Sequence, residues 1–247
     1  MKRDPYRNVA SMYDRLFESM NKGLRLVGIR MFRPAKGMNI LDVGCGTGTH
    51  LELYQRYECS LYGLDISPSM LEVAQKRMGD TAKLDLGNAT EMPYEDNKFD
   101  LIITMLTLHE MPPATRSAAI TEMRRVLKED GRILLIDFNP GPIQPLQGWI
   151  SKIIILLSEW AAGAEHFRNY RHFMANGGLS TLATQHDLRA EKQRILAGGT
   201  FAIYLAKDSA NETGLQDNKQ GPRHEVLSKR SHCVSGGQVE RTHQDGQ

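Results

Sequence analysis

Cysteine is scarce in this sequence of 247 residues: Cys45, Cys59 and Cys233 are scattered, and no two of them form a C-x-x-C pair. A disulfide framework or a cysteine-rich zinc site needs more numerous and more closely spaced cysteines. The pattern therefore argues against both, and we expect a reducing, cytoplasmic setting.

An excess of charge of one sign is also missing, since 31 basic residues nearly balance 29 acidic ones and leave a net charge of +2. Such a balance gives little attraction for nucleic acid, and we predict no nucleic-acid partner. Residues 1–17 carry charges throughout and lack the apolar core of a signal peptide. We accordingly expect that the protein is not secreted.

Long apolar runs are absent as well. The most apolar segment, residues 148–164, is shorter than the roughly 20 residues that a membrane-spanning helix needs, and Lys152 and Glu159 interrupt it. Four large apolar residues fall on one side of a helix over this segment: Trp149, Ile153, Leu156 and Trp160. A helix packed on the core or capping a pocket is the favoured interpretation, and a helix lying in a membrane interface is the alternative.

Strand-like and helix-like segments do alternate between residues 39 and 138. The helices begin after Gly48, at Ser67 with Pro68 in the first helical position, and over residues 113–131. The predicted strands cover residues 39–43, 60–66, 81–89, 99–108 and 132–138. Repeated βαβ units predict an α/β fold, a doubly wound and mostly parallel sheet with helices on both faces.

After residue 138 the alternation stops. Residues 139–185 form an insert of helices broken at Gly177 and Gly178, and residues 189–196 and 200–207 predict two strands that close the sheet as an antiparallel hairpin. Residues 208–247 contain no aromatic residue and few aliphatic ones, which is typical of a disordered polar tail. The predicted domain therefore covers residues 1–207.

The stretch "NILDVGCGTGTHLELY", residues 39–54, joins the first strand to a helix through Gly44, Gly46 and Gly48. A phosphate-binding P-loop requires a lysine that this loop lacks. A dinucleotide-binding loop has the pattern G-x-G-x-x-G, and here the third glycine comes one residue early. Hydrolysis of a nucleotide is therefore disfavoured, while an NAD(P)-dependent oxidoreductase stays as an alternative.

A third interpretation rests on a family resemblance. "LDVGCGTG" closely resembles the first motif of the class I S-adenosylmethionine-dependent methyltransferases, and "GNATEMPYEDNKFD" and "FDLIITMLTLHEM" resemble the segments at their third and fourth strands. Asp65 ends the second strand 21 residues after Gly44. Within the superfamily, "VASMYDRLFESMN" and "AGGTFAIYLA" are similar to segments of the ubiquinone/menaquinone biosynthesis C-methyltransferases.

The resemblance implies a seven-stranded Rossmann-like sheet that binds S-adenosyl-L-methionine. Asp65 would bind the ribose hydroxyls, Asp42 would orient the loop or meet the donor's amino group, and the N–H groups of the 44–48 loop would hold the donor's carboxylate. Asn88 and Ala89 would flank the adenine. The complete set implied for the donor is Tyr13, Asp42, Gly44, Cys45, Gly46, Thr47, Gly48, Asp65, Ile66, Asn88, Ala89 and Met105.

The expected activity is methyl transfer to a small, apolar acceptor that is quinone-like, lipid-like or another small metabolite. The 139–185 insert would form a lid over it, His109 would act as a general base, and residues 148–164 could contact a membrane peripherally. His166, Tyr170 and His172 share a predicted helix, but without a carboxylate cluster we predict no metal site. A donor-binding protein without catalytic activity remains a second alternative.

Overall fold

The computed structural model describes residues 10–209, with side chains from residue 21 onward. Its strands are β1 (Asn39–Val43), β2 (Ser60–Asp65), β3 (Ala82–Leu86), β4 (Phe99–Met105), β5 (Leu127–Phe138), β6 (Leu188–Leu196) and β7 (Phe201–Asp208). They form one sheet in the order β3-β2-β1-β4-β5-β7-β6. Strands β1 to β5 pair in parallel, whereas β7 is antiparallel to both β5 and β6. The predicted fold class and the closing hairpin are confirmed.

The helices are α1 (Ala10–Met31), α2 (Thr49–Glu52), α3 (Pro68–Met78), α4 (Pro113–Val126), α5 (Gln147–Ala161), α6 (Ala164–Ala175) and α7 (Gly178–Gln185). Ser67 caps α3 as predicted, because its hydroxyl accepts the Met70 N–H at 3.2 Å. Within residues 10–209, no helix combines the length and the apolar character that crossing a membrane requires.

The central strands are buried on both faces. Ile40, Leu41, Ile102, Ile133 and Leu134 are all fully buried, as expected for parallel strands covered by helices. The order of connection reverses at β1, which lies between β2 and β4. The crevice at the carboxyl ends of these strands is where open α/β sheets bind their ligands.

Two helix ends illustrate how element boundaries differ from the sequence prediction. Helix α4 ends at Val126 rather than Gly131, because the buried Leu127 pairs with Phe99 of β4 and starts β5 early. The helix after Gly48 has only four residues, since the Tyr54 N–H donates to the Leu51 carbonyl at 2.8 Å and tightens the turn.

The carboxyl end of the domain also differs. Asp208 was assigned to the polar tail, but it is the last residue of β7 and is buried. Its two carboxylate oxygens accept hydrogen bonds from Arg124 Nε at 2.7 Å and Arg124 Nη2 at 2.9 Å. Residues 210–247 of the predicted tail lie outside the described residues.

Truncation tests this boundary. A chain that ends at Ser209 should keep its free energy of unfolding within about 0.5 kcal/mol of the full chain, because it retains Asp208. A chain that ends at Lys207 should lose about 1.5–3 kcal/mol, the usual contribution of hydrogen bonds to charged groups. Chemical denaturation measures both, with Asp208→Asn in the full chain as the matched point variant. Equal stability of the two truncated chains would contradict the role given to Asp208.

Candidate functional site

The glycine loop after β1 needs its glycines for two different reasons. Gly44, Gly46 and Gly48 all have positive φ angles, of 74°, 52° and 77°. A Cβ at Gly44 would lie 2.5 Å from the Thr107 side chain, so this glycine allows the loop to pass close to the turn after β4. A Cβ at Gly46 would meet nothing within 4 Å. The loop therefore leaves open space at Gly46, where a ligand can approach the backbone.

The Asp65 carboxylate lies at the end of β2 beside this loop. Its Oδ2 accepts the Gly46 N–H at 2.8 Å, and its Oδ1 accepts the Ser67 N–H at 2.8 Å. It therefore ties the glycine loop to the start of α3. Asp65 also lies at the carboxyl end of β2, the edge at which open α/β sheets bind their ligands.

The loop N–H groups are largely used within the protein. Gly44 and Cys45 both donate to the Leu64 carbonyl, Gly48 donates to the Cys45 carbonyl, and Gly46 donates to Asp65. Helix α2, which follows, has four residues. The role of these N–H groups in holding the donor's carboxylate stays a prediction, since four of them already donate within the protein.

Asp42, at the end of β1, carries an unsatisfied acceptor. It is buried, and its Oδ1 has no hydrogen-bond partner among the described residues. Burial, together with the nearby Asp65, raises the pKa of Asp42 to about 7, while the Arg25 guanidinium acts in the opposite direction. The Asp42 carboxyl and the buried Arg25 guanidinium therefore act on each other electrostatically, and an amino-acid zwitterion requires groups of both signs.

Helix α1 brings Arg25 into the site together with Asn21, whose side chain is also buried. Asn21 Oδ1 has no hydrogen-bond partner within the described part of the chain. The helix packs closely over β5, because Gly28 leaves room for Ile136 and Leu134, each 3.1 Å from where a Cβ would stand. Tyr13 also belongs to α1, but its side chain lies outside the described residues.

The ends of β2 and β3 expose two large apolar side chains, Ile66 at 65% and Leu86 at 61%. Asn88 and Ala89 follow β3 directly, and Asn88 Oδ1 accepts the Thr90 N–H at 3.1 Å. Exposed apolar groups beside a carboxylate and an amide form a surface on which a purine ring and a ribose can lie. The predicted residues Ile66, Asn88 and Ala89 therefore follow the carboxyl ends of two neighbouring strands, at one edge of the sheet.

The other predicted donor residues are less accessible. Thr47 and Cys45 are buried, and burial raises the pKa of the Cys45 thiol, so this cysteine is uncharged. Thr47 Oγ1 lies 3.2 Å from Thr49 Oγ1. Met105 ends β4 and packs against the core.

A second group of polar residues surrounds His109, in the turn between β4 and α4. His109 Nδ1 lies 2.7 Å from Asp137 Oδ1, at the end of β5. On the other side of the ring, Nε2 lies 3.4 Å from Glu159 Oε2 of α5. The same Glu159 oxygen lies 2.7 Å from His166 Nε2 of α6. Four ionisable side chains thus form a chain from the sheet to the two lid helices.

The electrostatics of this cluster bear on the role predicted for His109. Burial alone would lower the pKa of His109, but Asp137, Glu159 and Glu110 outweigh it and raise the pKa well above its usual range. Burial would likewise raise the pKa of Glu159, yet His109 and His166 lower it. A general base must be unprotonated when it acts. Two carboxylates favour the protonated form of His109 in this arrangement, which does not suit a general base. The role of His109 as a general base stays a prediction.

Helix α5 carries its polar and apolar residues in an unexpected arrangement. Glu159, one of the two charged residues that interrupt the apolar segment, is only 7% exposed and points into the protein beside the buried Ile155. Trp149 is 56% exposed and Trp160 is 70% exposed. We expected these two tryptophans to cover an acceptor from inside the lid, but they face outward. Tyr170 and Phe173 of α6, in contrast, are buried.

Comparison with known proteins identifies the family to which this chain belongs. The family profile described as "Methyltransferase domain" matches residues 40–131. A ubiquinone/menaquinone biosynthesis C-methyltransferase from Burkholderia orbicola is 28% identical over 81% of this chain and 89% of its own length. A demethylmenaquinone methyltransferase from Thermobifida fusca is 31% identical over 61% of this chain and 70% of its own length. The chain is a class I S-adenosylmethionine-dependent methyltransferase.

Solved structures agree with the fold of the methyltransferase. A protein from Pyrococcus horikoshii aligns with a TM-score of 0.58 at 18% identity, covering 84% of this chain and 96% of its own. An S-adenosyl-L-methionine-dependent methyltransferase from Methanococcus maripaludis aligns with a TM-score of 0.57 at 18% identity, covering 84% and 96%. These structures confirm the fold, while the family profile and the two relatives confirm the recognised family, the enzyme class and S-adenosylmethionine as cofactor.

Sequence reasoning did not single out four residues that the structure adds to the candidate site: Asn21, Arg25, Leu86 and Glu159. Asn21 and Arg25 are four residues apart and share one face of α1, but a polar pair on a helix usually marks the solvent side. Glu159 gave the same misleading signal. The motifs identify residues on the loops after strands, and these four belong to helices or to the end of an edge strand.

The raised pKa of Asp42 predicts a pH-dependent stability. Asp42 has a pKa of about 7 when folded against 3.8 ordinarily, so its contribution to stability is present below pH 3.8 and is lost as the pH rises to about 7. Relative to wild type, Asp42→Asn should gain about 1.4 kcal/mol per pH unit in that window. Urea unfolding at several pH values measures the difference. A difference that does not change with pH would contradict the assignment.

Proposed function

We propose that this methyltransferase transfers a methyl group to a small, apolar, quinone-like acceptor that it collects from a membrane surface. The observation that carries the proposal is the exposed apolar face of α5, beside the acceptor end of the sheet. The names of the relatives support it, since two of them act in ubiquinone or menaquinone biosynthesis. The same names support a quinone-like class of acceptor and do not identify the acceptor itself.

The donor site would be divided among three groups of residues. Asp65 would accept hydrogen bonds from the two ribose hydroxyls, and Ile66, Leu86, Asn88 and Ala89 would surround the adenine. Asp42 would bind the donor's ammonium group, and Arg25 its carboxylate. Gly46 would allow close approach of the ligand, because a side chain there would occupy the open space.

The acceptor would bind between the end of β5 and helices α5 and α6. In this region Phe138, Ile155 and Tyr170 line a cavity of about 20 Å³, which has room for about one water molecule. An aromatic ring does not fit in that volume. Helices α5 and α6 would therefore have to move apart before an acceptor binds, and close afterwards to exclude water.

Methyl transfer asks little chemistry of the protein itself. S-adenosylmethionine supplies a methyl group on a sulfonium, which is already a good leaving group. The residues of the site need to hold the acceptor atom in line and exclude water, and positioning of this kind can contribute roughly 7–11 kcal/mol. An acceptor with an acidic ring hydroxyl would need only to reach the site ionised.

The outer face of α5 explains how an apolar acceptor would reach the site. Six large apolar side chains are more than half exposed on this helix: Trp149, Ile150, Ile153, Ile154, Leu157 and Trp160. Contiguous apolar patches of this kind mark interaction sites, and tryptophans at the ends of an apolar face suit the lipid headgroup region. A bilayer is the occupant that also dissolves a quinone-like acceptor.

Asp65→Asn tests the donor site. The variant keeps the shape of the side chain but removes its charge, so affinity for S-adenosylmethionine should fall at least tenfold, or about 1.4 kcal/mol. Isothermal titration calorimetry measures this affinity. Asp80→Asn is the control, because Asp80 is exposed in the turn before β3, at the opposite edge of the sheet. A loss below about threefold in a folded variant would count against the assignment.

Replacing both Trp149 and Trp160 by alanine tests the membrane surface. Less apolar area would enter the bilayer, so partitioning to phospholipid vesicles should fall at least about tenfold. Donor affinity should stay within about twofold, because neither side chain belongs to the proposed donor site. Cosedimentation with vesicles and calorimetry measure the two quantities.

Ile195→Ala provides the matched control for these measurements. Ile195 is also an exposed apolar residue, but it lies on β6, so its replacement should leave vesicle binding unchanged. The proposal fails if the wild-type protein does not bind vesicles, or if the double variant binds them as well as the wild type does.

A further inference from the structure

The cluster of His109, Glu159 and His166 has a geometry that the proposed methyl transfer does not require. The three side chains come from the turn after β4, from α5 and from α6, and one ligating atom of each lies within 4.8 Å of the other two. We propose that these three residues bind a divalent transition-metal ion, for which Zn²⁺ is the best fit. The proposal does not depend on the identity of the acceptor.

The first observation is that one nitrogen of each histidine and one oxygen of Glu159 converge in the same buried place. Glu159 Oε2 lies 2.7 Å from His166 Nε2 and 3.4 Å from His109 Nε2. It is nevertheless a buried oxygen that has no partner with hydrogen-bond geometry among the described residues. A carboxylate and two imidazoles that approach each other without this alignment can direct their lone pairs to one common point.

The spacing of these atoms suits a small tetrahedral ion. Zinc bonds of 2.0–2.1 Å to imidazole nitrogen and carboxylate oxygen place neighbouring ligand atoms about 3.3 Å apart. The 3.4 Å between Glu159 Oε2 and His109 Nε2 matches this value. The 2.7 Å to His166 Nε2 requires a shift of less than about 1 Å, and the partly exposed side chain of His166 on α6 can supply it.

Asp137 provides the second observation. Its Oδ1 lies 2.7 Å from His109 Nδ1, and its Oδ2 accepts the His109 backbone N–H at 3.2 Å. Histidine ligands of metal ions usually donate their other ring N–H to a carboxylate, which fixes the tautomer and the orientation of the ring. Asp137 thus presents Nε2 of His109 towards Glu159 and His166.

The surroundings also resemble those of a metal centre. Phe138 and Tyr170 contact the His109 ring edge to face, with centroids 4.6 and 6.2 Å away. Such an apolar shell strengthens the attraction between a dication and the carboxylates. A bound ion would join both lid helices to the sheet, and three protein ligands would leave one position for water or for another oxygen ligand.

The ligand types restrict the ion. Two imidazoles and one carboxylate suit Zn²⁺ and neighbouring transition metals, whereas Mg²⁺ and Ca²⁺ prefer sites made of oxygen atoms alone. We therefore expect Zn²⁺ and Co²⁺ to bind and Mg²⁺ not to compete with them.

Metal content tests the proposal directly. The full chain is freed of metal with a chelator, incubated with Zn²⁺, desalted and analysed by inductively coupled plasma mass spectrometry. Wild-type protein should retain one equivalent of Zn²⁺ more than either His166→Ala or Glu159→Gln. Co²⁺ should produce the intense visible absorption of tetrahedral coordination in the wild type and not in these variants.

Two controls separate this site from other histidines. His172→Ala changes an exposed histidine on the same helix and should retain the same metal as the wild type. His232 is next to Cys233 in the sequence, and these two residues could bind Zn²⁺ independently of the proposed site. The His232→Ala variant should still retain the additional equivalent of Zn²⁺ that the wild type holds. Circular dichroism verifies that each variant is folded. The proposal is overturned if the wild type retains no more Zn²⁺ than the folded His166→Ala and Glu159→Gln variants, or if Mg²⁺ displaces the ion.

Discussion

The Asp65 carboxylate is the contact on which the donor side of the methyltransferase depends. It accepts the Gly46 N–H from the glycine loop and the Ser67 N–H at the start of α3, so it joins two turns that belong to neighbouring strands. The glycine loop can then pass close to the turn after β4. One side chain therefore fixes the position of the loop at the edge of the sheet where the donor is proposed to bind.

The proposed acceptor side depends on helix α5, whose polar and apolar side chains lie on opposite faces. Helix α5 directs Glu159 inward to His109 and His166, while its tryptophans face outward. Burying a carboxylate costs free energy unless positive partners surround it, and the two histidines supply them. The same helix thus carries an ion cluster on its inner face and an apolar surface on its outer face, beside a cavity too small for an acceptor.

Much of the fold could be predicted from the sequence, because alternating apolar segments and turn residues mark each βαβ unit locally. The motif residues at strand ends, such as Gly44, Asp65 and Asn88, could be found in the same way. Arg25 and Glu159 could not, since a charged residue on a helix looks the same whether it faces solvent or a buried partner. The outward direction of Trp149 and Trp160 was missed for the same reason: helical spacing identifies a face, but only packing decides where that face points.

Calorimetric titration of the wild-type full chain with S-adenosylhomocysteine, followed by NAD, tests the central claim most directly. The product keeps the ribose, the adenine and the zwitterion for which the donor side is built. The account predicts binding of S-adenosylhomocysteine at one site per chain and no heat of binding from NAD. Saturable binding of NAD without binding of S-adenosylhomocysteine would contradict it.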